Sequence, residues 1–448
     1  MPLAIASGAA LPPPRTAVLR NILALAAPTG LLAGLQVVAQ LFEVWLASRQ
    51  GVLAFAGWAI VLPFAQLMQQ MSTGAMGGGV SASIARALGA GKPDEASALV
   101  LHALLIALAG SALFAVPLAI FPHQVLGAIG GADVAAAAAG YAICLFGAGA
   151  APVWLANTLA SVLRGGERHA LAAGLVASAW LSFPLLAWVL SEWAGLGLVG
   201  IAAAFASVYW VVAIAMIVVV LRGAAGFVPH LRGRPRRDLF ARILSVGLVA
   251  CLISLLFNLA TIGVTMQLAA YGTAAIAAFG IAARLEFLIV PLVFGIGSAL
   301  TAMVGRAVGA RDWSAARRIA WTGGFFAMVV AGLAGMAVAL APVSFAGLFA
   351  DDPQLRANAA QVLRYTAPAF GVFGLGLALY FASMGAGSMR WPLAAGLSRV
   401  LISVGGGWML ANPVGMGVEG YFLGMALGAC AYGLFNVMGM RSRAWHPD

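Results

Sequence analysis

The chain has 448 residues, 63% of them apolar and 8% charged, and a mean hydropathy of +1.01. Those values lie far outside the range of soluble globular domains. Apolar runs of about twenty residues recur, each long enough to cross roughly 30 Å of hydrocarbon as a helix. They do not alternate with period two, which excludes a membrane β-barrel. The fold class expected is an all-α polytopic membrane protein.

In chain order, residues 1–17 are expected to be a disordered tail. MPLAIASGAALPPPR has no basic start and Pro12–Pro14 interrupt its short apolar run, so it does not read as a secretory leader. Twelve spans follow, near 18–47, 53–87, 97–121, 134–163, 169–191, 197–221, 239–269, 274–307, 315–341, 355–385, 392–411 and 417–440. The basic segment 223–237, GAAGFVPHLRGRPRR, joins the sixth span to the seventh, and 442–448 form a short tail. On this layout 19 of the 24 Lys and Arg share one side, whereas Arg49, Arg356 and Arg364 lie on the other and Arg284 and Arg399 fall within spans. The positive-inside rule then places both termini and the 223–237 linker in the cytoplasm, with the chain in a bacterial inner membrane. The net charge of +11 is thereby a topology signal, not a nucleic-acid footprint. Cys144, Cys251 and Cys430 all fall in apolar spans at no metal or disulfide spacing and read as packing residues.

The chain repeats itself. SASIARALGAGKPDEA (81–96) matches TAMVGRAVGARDWSAA (301–316) at an offset of 220. SVLRGGERHALAAG (161–174) matches SMGAGSMRWPLAAG (383–396) at 222, and GLGLVG (195–200) matches GMGVEG (415–420) at 220. The expectation is two parallel six-helix repeats. An even number of spans per repeat makes both halves face the same way, with a pseudo-two-fold axis along the membrane normal, an arrangement found in transporters. In the repeated loop, Gly89 and Gly91 are expected to end the second helix in left-handed geometry. Pro93 suits the first position of the next helix, and Asp94 and Glu95 complement its positive end. The loop lacks the Lys-Ser/Thr ending of a phosphate-binding loop.

Only two of the 13 acids fall well inside these spans, Glu43 and Glu286. An ionised carboxylate is costly in an apolar setting unless it is paired or takes up a proton, and helix packing does not require one. An intramembrane acid therefore points to function. Gln36, Gln40 and Glu43 share one helix face, as do Gln66, Gln70 and Thr73, Asn157 and Ser161, and Ser178 and Ser182. Two readings of these amides and hydroxyls stay open: hydrogen-bonding glue between helices or the lining of a wet pocket. Two also stay open for Glu286, an ion pair with Arg399 or a place facing a cavity; Arg284, two residues away, points to another side of the helix. Pro28, Pro63, Pro152, Pro184, Pro291 and Pro368 lie inside spans, where each removes a backbone bond and can kink the helix. Trp45, Trp154, Trp180 and Trp188 suit either interface anchoring or stacking on aromatic cations.

LALAAPTG, LFEVWLASRQG, the paired ARALGAG and GRAVGAR loops, and IAARLEFLIVPLVFGIGSALTAMVGRAVGA together resemble the multidrug and toxic compound extrusion family, in its bacterial DinF-like, proton-coupled branch. The resemblance covers nearly all of residues 18–441. It implies an N-lobe (18–222) and a C-lobe (238–441) around a V-shaped cavity, and export of small, often cationic or amphipathic compounds driven by inward H⁺ or Na⁺. Relatives often carry an acid in the first span within a pattern like N-L-V-D-T. Gln40-Leu41-Phe42-Glu43-Val44 puts Glu43 there as the proton-coupling residue, with Gln36, Gln40, Asn157, Ser178 and Ser182 as its support. Gln40 and Asn157 are expected to hydrogen-bond it. Gln66, Gln70, Thr73, Asn258, Thr261, Arg284, Glu286 and Arg399 are the cavity candidates.

Relatives regarded as Na⁺-coupled often carry a seventh-span acid in a context like F-E-V-T. Here Phe257-Asn258-Leu259-Ala260 is neutral at that position, so H⁺ is the expected coupling ion, with no metal or other cofactor. The expected partners are small-molecule substrates and the bilayer, with no nucleic acid, and the chain is expected to act as a monomer. A lipid-linked oligosaccharide flippase of the same broad fold is the alternative. It needs several Arg or Lys for a pyrophosphate, and only Arg284 and Arg399 are on offer. No DDxxD-like, HExxH or GxSxG motif supports an enzyme.

Overall fold

The computed structural model describes residues 15–349 and 351–445. Most of the expected N-terminal tail lies outside the described residues, and the first helix already begins at Arg15. Among the described residues there is no strand, and twelve helices are long and apolar enough to cross a membrane. Spans 1 to 6 are Thr16–Ser48, Val52–Gly89, Pro93–Ile120, Pro122–Ala148, His169–Trp193 and Gly197–Leu221; spans 7 to 12 are Arg237–Tyr271, Thr273–Gly309, Trp313–Leu340, Pro353–Ala386, Arg390–Ala411 and Val418–Arg441. Span 4 continues beyond Gly149 as Ala150–Gly165, and Gly131, at φ +80°, breaks its first turns. Pro28, Pro63, Pro184 and Pro291 lie inside helices. Pro152 is instead in the first turn of its helix, and Pro368 sits in a 3₁₀ turn. Span 2 widens into a π-helical turn at Met71–Ala75, a feature that rotates the residues beyond it.

The side of the molecule that carries both chain ends is built twice. Gly91 ends span 2 at φ +69°, with the Lys92 N–H donating to the Ala87 carbonyl at 2.9 Å. Span 8 ends the same way at Arg311, φ +61°, and the Asp312 N–H donates to Ala307 at 2.9 Å. Span 4 ends at Glu167 (φ +62°) and span 10 at Gly387 (φ +78°); their closing bonds lie 220 residues apart, so the helix ends correspond at 220 and the offset of 222 holds only beyond them. Gly91 therefore behaves as expected, but Gly89 stays helical and has a different role. A Cβ there would lie 2.0 Å from the Arg306 carbonyl oxygen, and one at Gly309 would lie 2.1 Å from that of Arg86. Spans 2 and 8 thus cross backbone to backbone at two repeat-related glycines, which closes this basic side.

Two hydrophobic cores result. One gathers buried residues from Leu32 to Ile243. The other gathers Val246 to Trp445 together with Val18, Ile22, Ala26, Ala75 and Ala82 of the first half. The exchange follows from two close crossings. A Cβ on Gly295 of span 8 would sit 2.8 Å from the Ala26 carbonyl of span 1, and one on Gly79 of span 2 would sit 2.8 Å from the Ile243 carbonyl of span 7. The linker is tied to span 3, since the His230 N–H donates to Ser97 Oγ at 2.7 Å and the Arg236 N–H to His102 Nε2 at 2.8 Å. The expected C-terminal tail is docked as far as Trp445, which is buried and whose carbonyl accepts from Arg317 at 2.8 Å; its last three residues lie outside the described ones.

Candidate functional site

Glu43 lies five residues before the end of span 1. Its Oε1 accepts two hydrogen bonds, from Trp58 Nε1 of span 2 at 3.1 Å and from the Tyr141 hydroxyl of span 4 at 3.1 Å. Both donors are buried. Local sequence explains the meeting. Gly57 lets span 2 approach span 4 closely, for a Cβ there would be 3.1 Å from Ala138. Trp58 follows Gly57 directly, and Tyr141 stands one helical turn beyond Ala138 on the same face. Phe55 stacks on Trp58 with ring centres 5.5 Å apart. Hydrogen bonds to a charged acceptor contribute about 1.5–3 kcal/mol each, so the pair holds Oε1 firmly. Among the described residues no cation lies within ion-pair distance of Glu43.

The expected supports are elsewhere. Asn157 donates from Nδ2 to Gln69 Oε1 at 3.0 Å and to Ser72 Oγ at 2.9 Å, and Gln69 Nε2 donates to the Tyr209 hydroxyl at 3.0 Å. This network joins spans 2, 4 and 6. It is centred about 16 Å along span 2 from Trp58, eleven residues at the helical rise. Gln40 is exposed and Gln36 half-buried, and neither bonds to Glu43. Ser178 and Ser182 are exposed, donating to the Leu175 and Ser178 carbonyls of their own helix at 2.7 and 2.5 Å. Ser72 lies within the π-turn at 71–75, one turn beyond Gln69 on the same face. Gln66 and Gln70 are exposed and Thr73 half-buried. Trp58, Tyr141, Gln69, Ser72 and Tyr209 escaped sequence reasoning. The usable signal was a second polar set at i, i+3, Gln69 and Ser72, beside the chosen face.

In the second half, Glu286 Oε1 accepts from Arg399 Nη2 in a buried ion pair. The Arg399 guanidinium also lies 4.6 Å from the Phe373 ring centre and 5.0 Å from that of Phe257. Arg284 is exposed and takes no part. Asn258 and Thr261 bond back to their own helix, to Ser254 at 2.9 Å and Phe257 at 3.3 Å. Of Glu43 and Glu286, the second is therefore neutralised by a partner cation and the first is not.

A family model for MatE matches residues 28–189 and 250–409, two segments that reproduce the internal repeat at both their starts and their ends. The chain belongs to the MatE family. Its fold is shared with a MOP superfamily transporter from Pyrococcus furiosus, 20% identical over 95% of this chain and 96% of that one, with a TM-score of 0.88. It is shared equally with a MATE structure in complex with MaD3S, 21% identical over 95% and 96%, TM-score 0.88. The Vibrio cholerae MATE transporter VcmN in the bent form is 21% identical over 96% and 98%, TM-score 0.87. No curated protein matches the chain. As a MatE member the protein is a membrane transporter, not an enzyme.

Proposed function

We propose that this MatE protein exports small cationic or amphipathic compounds across the bacterial inner membrane in exchange for protons. The observation that carries the reading is Glu43, a span carboxylate with two donors on one oxygen and no partner cation among the described residues. A carboxylate in such a setting favours either a proton or a cation. With Trp58 and Tyr141 committed to Oε1, Oε2 is the oxygen that takes up the proton. Protonation removes the negative charge and with it the attraction for a cationic substrate. Deprotonation restores both. The same donors argue against Na⁺, which favours several oxygen ligands. An indole N–H offers none.

The positive-inside rule puts the basic side, closed by the Gly89 and Gly309 crossing, in the cytoplasm. Protons would then reach Glu43 from outside. Residues 18–222 and 238–441 are the bodies that would rock to expose it inward, within a single monomer. The exposed Gln40, Gln66 and Gln70 suit the wall of the substrate path, since polar faces turn away from lipid. A flippase handling pyrophosphate is disfavoured, because it needs several free cations and Arg399 is occupied by Glu286.

Proteoliposomes loaded with a fluorescent cationic dye test the reading. A pH gradient alone is expected to drive transport in the wild type and to fail in Glu43→Gln, whose amide keeps the size of the side chain but cannot exchange a proton. Transport driven by a Na⁺ gradient at equal pH, and absent with a pH gradient alone, would overturn the proton assignment. Undiminished gradient-driven transport in Glu43→Gln would remove Glu43 from the mechanism.

A further inference from the structure

Span 4 carries Arg164 one residue before the end of its helix, yet the side chain is only 5% exposed. Among the described residues no carboxylate lies within ion-pair distance of it. The nearest acid in sequence, Glu167, is bound to Arg306 of span 8 at 2.9 Å. The contact the guanidinium makes is with a ring, 5.9 Å from the centre of Phe294. That attraction is small beside the penalty for burying an unpaired cation. A buried charge of this kind calls for a counter-charge.

The guanidinium borders a small cavity that also meets Thr73 and Ser81 of span 2 and Phe294, Ser298 and Thr301 of span 8. The hydroxyls of Ser298 and Thr301 are already committed, the first donating to Gly295 at 3.0 Å and the second sharing its one proton between Gly297 and Phe381 at 3.1 and 3.0 Å. Ser81 differs. Its Oγ is buried with no hydrogen-bond partner, although its repeat mate Thr301 has two. Uncommitted donors on Ser81 and Arg164 therefore line the same cavity and call for an acceptor. About 10 Å³ is open to a water-sized sphere, close to the room one such particle needs. A space of that size suits a small ion, whereas phosphate or an organic acid would need it to widen.

We infer that Arg164, Ser81 and Thr73 bind a single small monovalent anion of the halide class. The walls come from spans 2 and 4 on one hand and spans 8 and 10 on the other, so the ion bridges the two halves on the closed, basic side. Its release accompanies their separation. The site has no twin, because the residue in Arg164's place at the end of span 10 is Met384, whose carbonyl accepts from Gly387 as that of Arg164 accepts from Glu167.

The test uses the purified full-length protein in detergent, with chloride or bromide replacing gluconate at constant pH and ionic strength. Halide should raise the Tm saturably, by about 3 °C at a hundred times the half-saturating concentration. Ser81→Ala should raise the half-saturating concentration about tenfold through loss of one charge-assisted hydrogen bond. Arg164→Met should abolish the response, and Arg164→Lys should weaken it while retaining the charge if the methionine variant does not fold. A wild-type Tm indifferent to the anion overturns the site. An unchanged half-saturation in both Ser81→Ala and Arg164→Lys overturns its location.

Discussion

At their basic ends the two halves of the chain match bond for bond, and two to four turns deeper they part. The Arg168 and Ser388 N–H groups close spans 4 and 10 at repeat-related positions, donating to Leu163 and Ser383 at 2.8 and 2.9 Å. Two turns before Arg164, Asn157 holds Gln69 and Ser72. The repeat mates of these three are Leu377, Ile289 and Leu292, which form no such network. Nor does any of Gly263, Val264 or Thr265, the residues that correspond to Glu43 in the second half, carry an acid. The second half has its own acid, Glu286, held by Arg399. Duplication preserved helix packing and helix ends, because those follow from backbone geometry and small residues. The first half alone keeps a span carboxylate with no partner cation among the described residues.

The sharpest way to break this contrast is to neutralise both acids. Glu286→Gln leaves Arg399 buried without its counter-charge and is expected to destabilise the protein by about 3–5 kcal/mol. Glu43→Gln, which strands no cation, is expected to change stability by less than about 1 kcal/mol. Unfolding of the two variants in detergent gives the comparison directly. Equal losses would mean that Glu43, too, is structural.

A smaller effect is expected from giving the first half the residue of the second. Asn157→Leu removes the donor to Gln69 and Ser72, leaving buried acceptors unmet at about 1–3 kcal/mol. The same unfolding measurement reads it. A neutral outcome would mean that the network is surplus to packing.

The smallest concerns Glu167, a left-handed residue whose mate is Gly387. Glu167→Gly should relieve about 1 kcal/mol of backbone strain while losing a half-exposed pair with Arg306, worth about 0–1 kcal/mol. The expected net change is near zero at low salt and stabilising by about 0.5–1 kcal/mol in roughly 1 M salt, where the pair is screened. A loss of stability that persists in high salt would show that Arg306 needs Glu167 for more than charge.

Much of this was legible in the amino-acid sequence alone. Span number follows from the length an apolar helix needs, although span 4 begins at Pro122, twelve residues before the expected 134, and the repeat follows from the ARALGAG and GRAVGAR loops. Glu43 stood out because acids are rare in such spans. The sequence left Glu286 between two readings, and only packing decided for Arg399, three spans further along the chain. It also singled out Gln66–Gln70–Thr73, whereas the network is made by Gln69 and Ser72, since helical period names a face but not the neighbour it meets. Trp58 and Tyr141 reach Glu43 because Gly57 lets spans 2 and 4 draw together, a contact between segments far apart in the chain. Local propensity determines helices and their ends; which side chains share a site depends on how those helices cross, and that is settled by interactions no single segment contains.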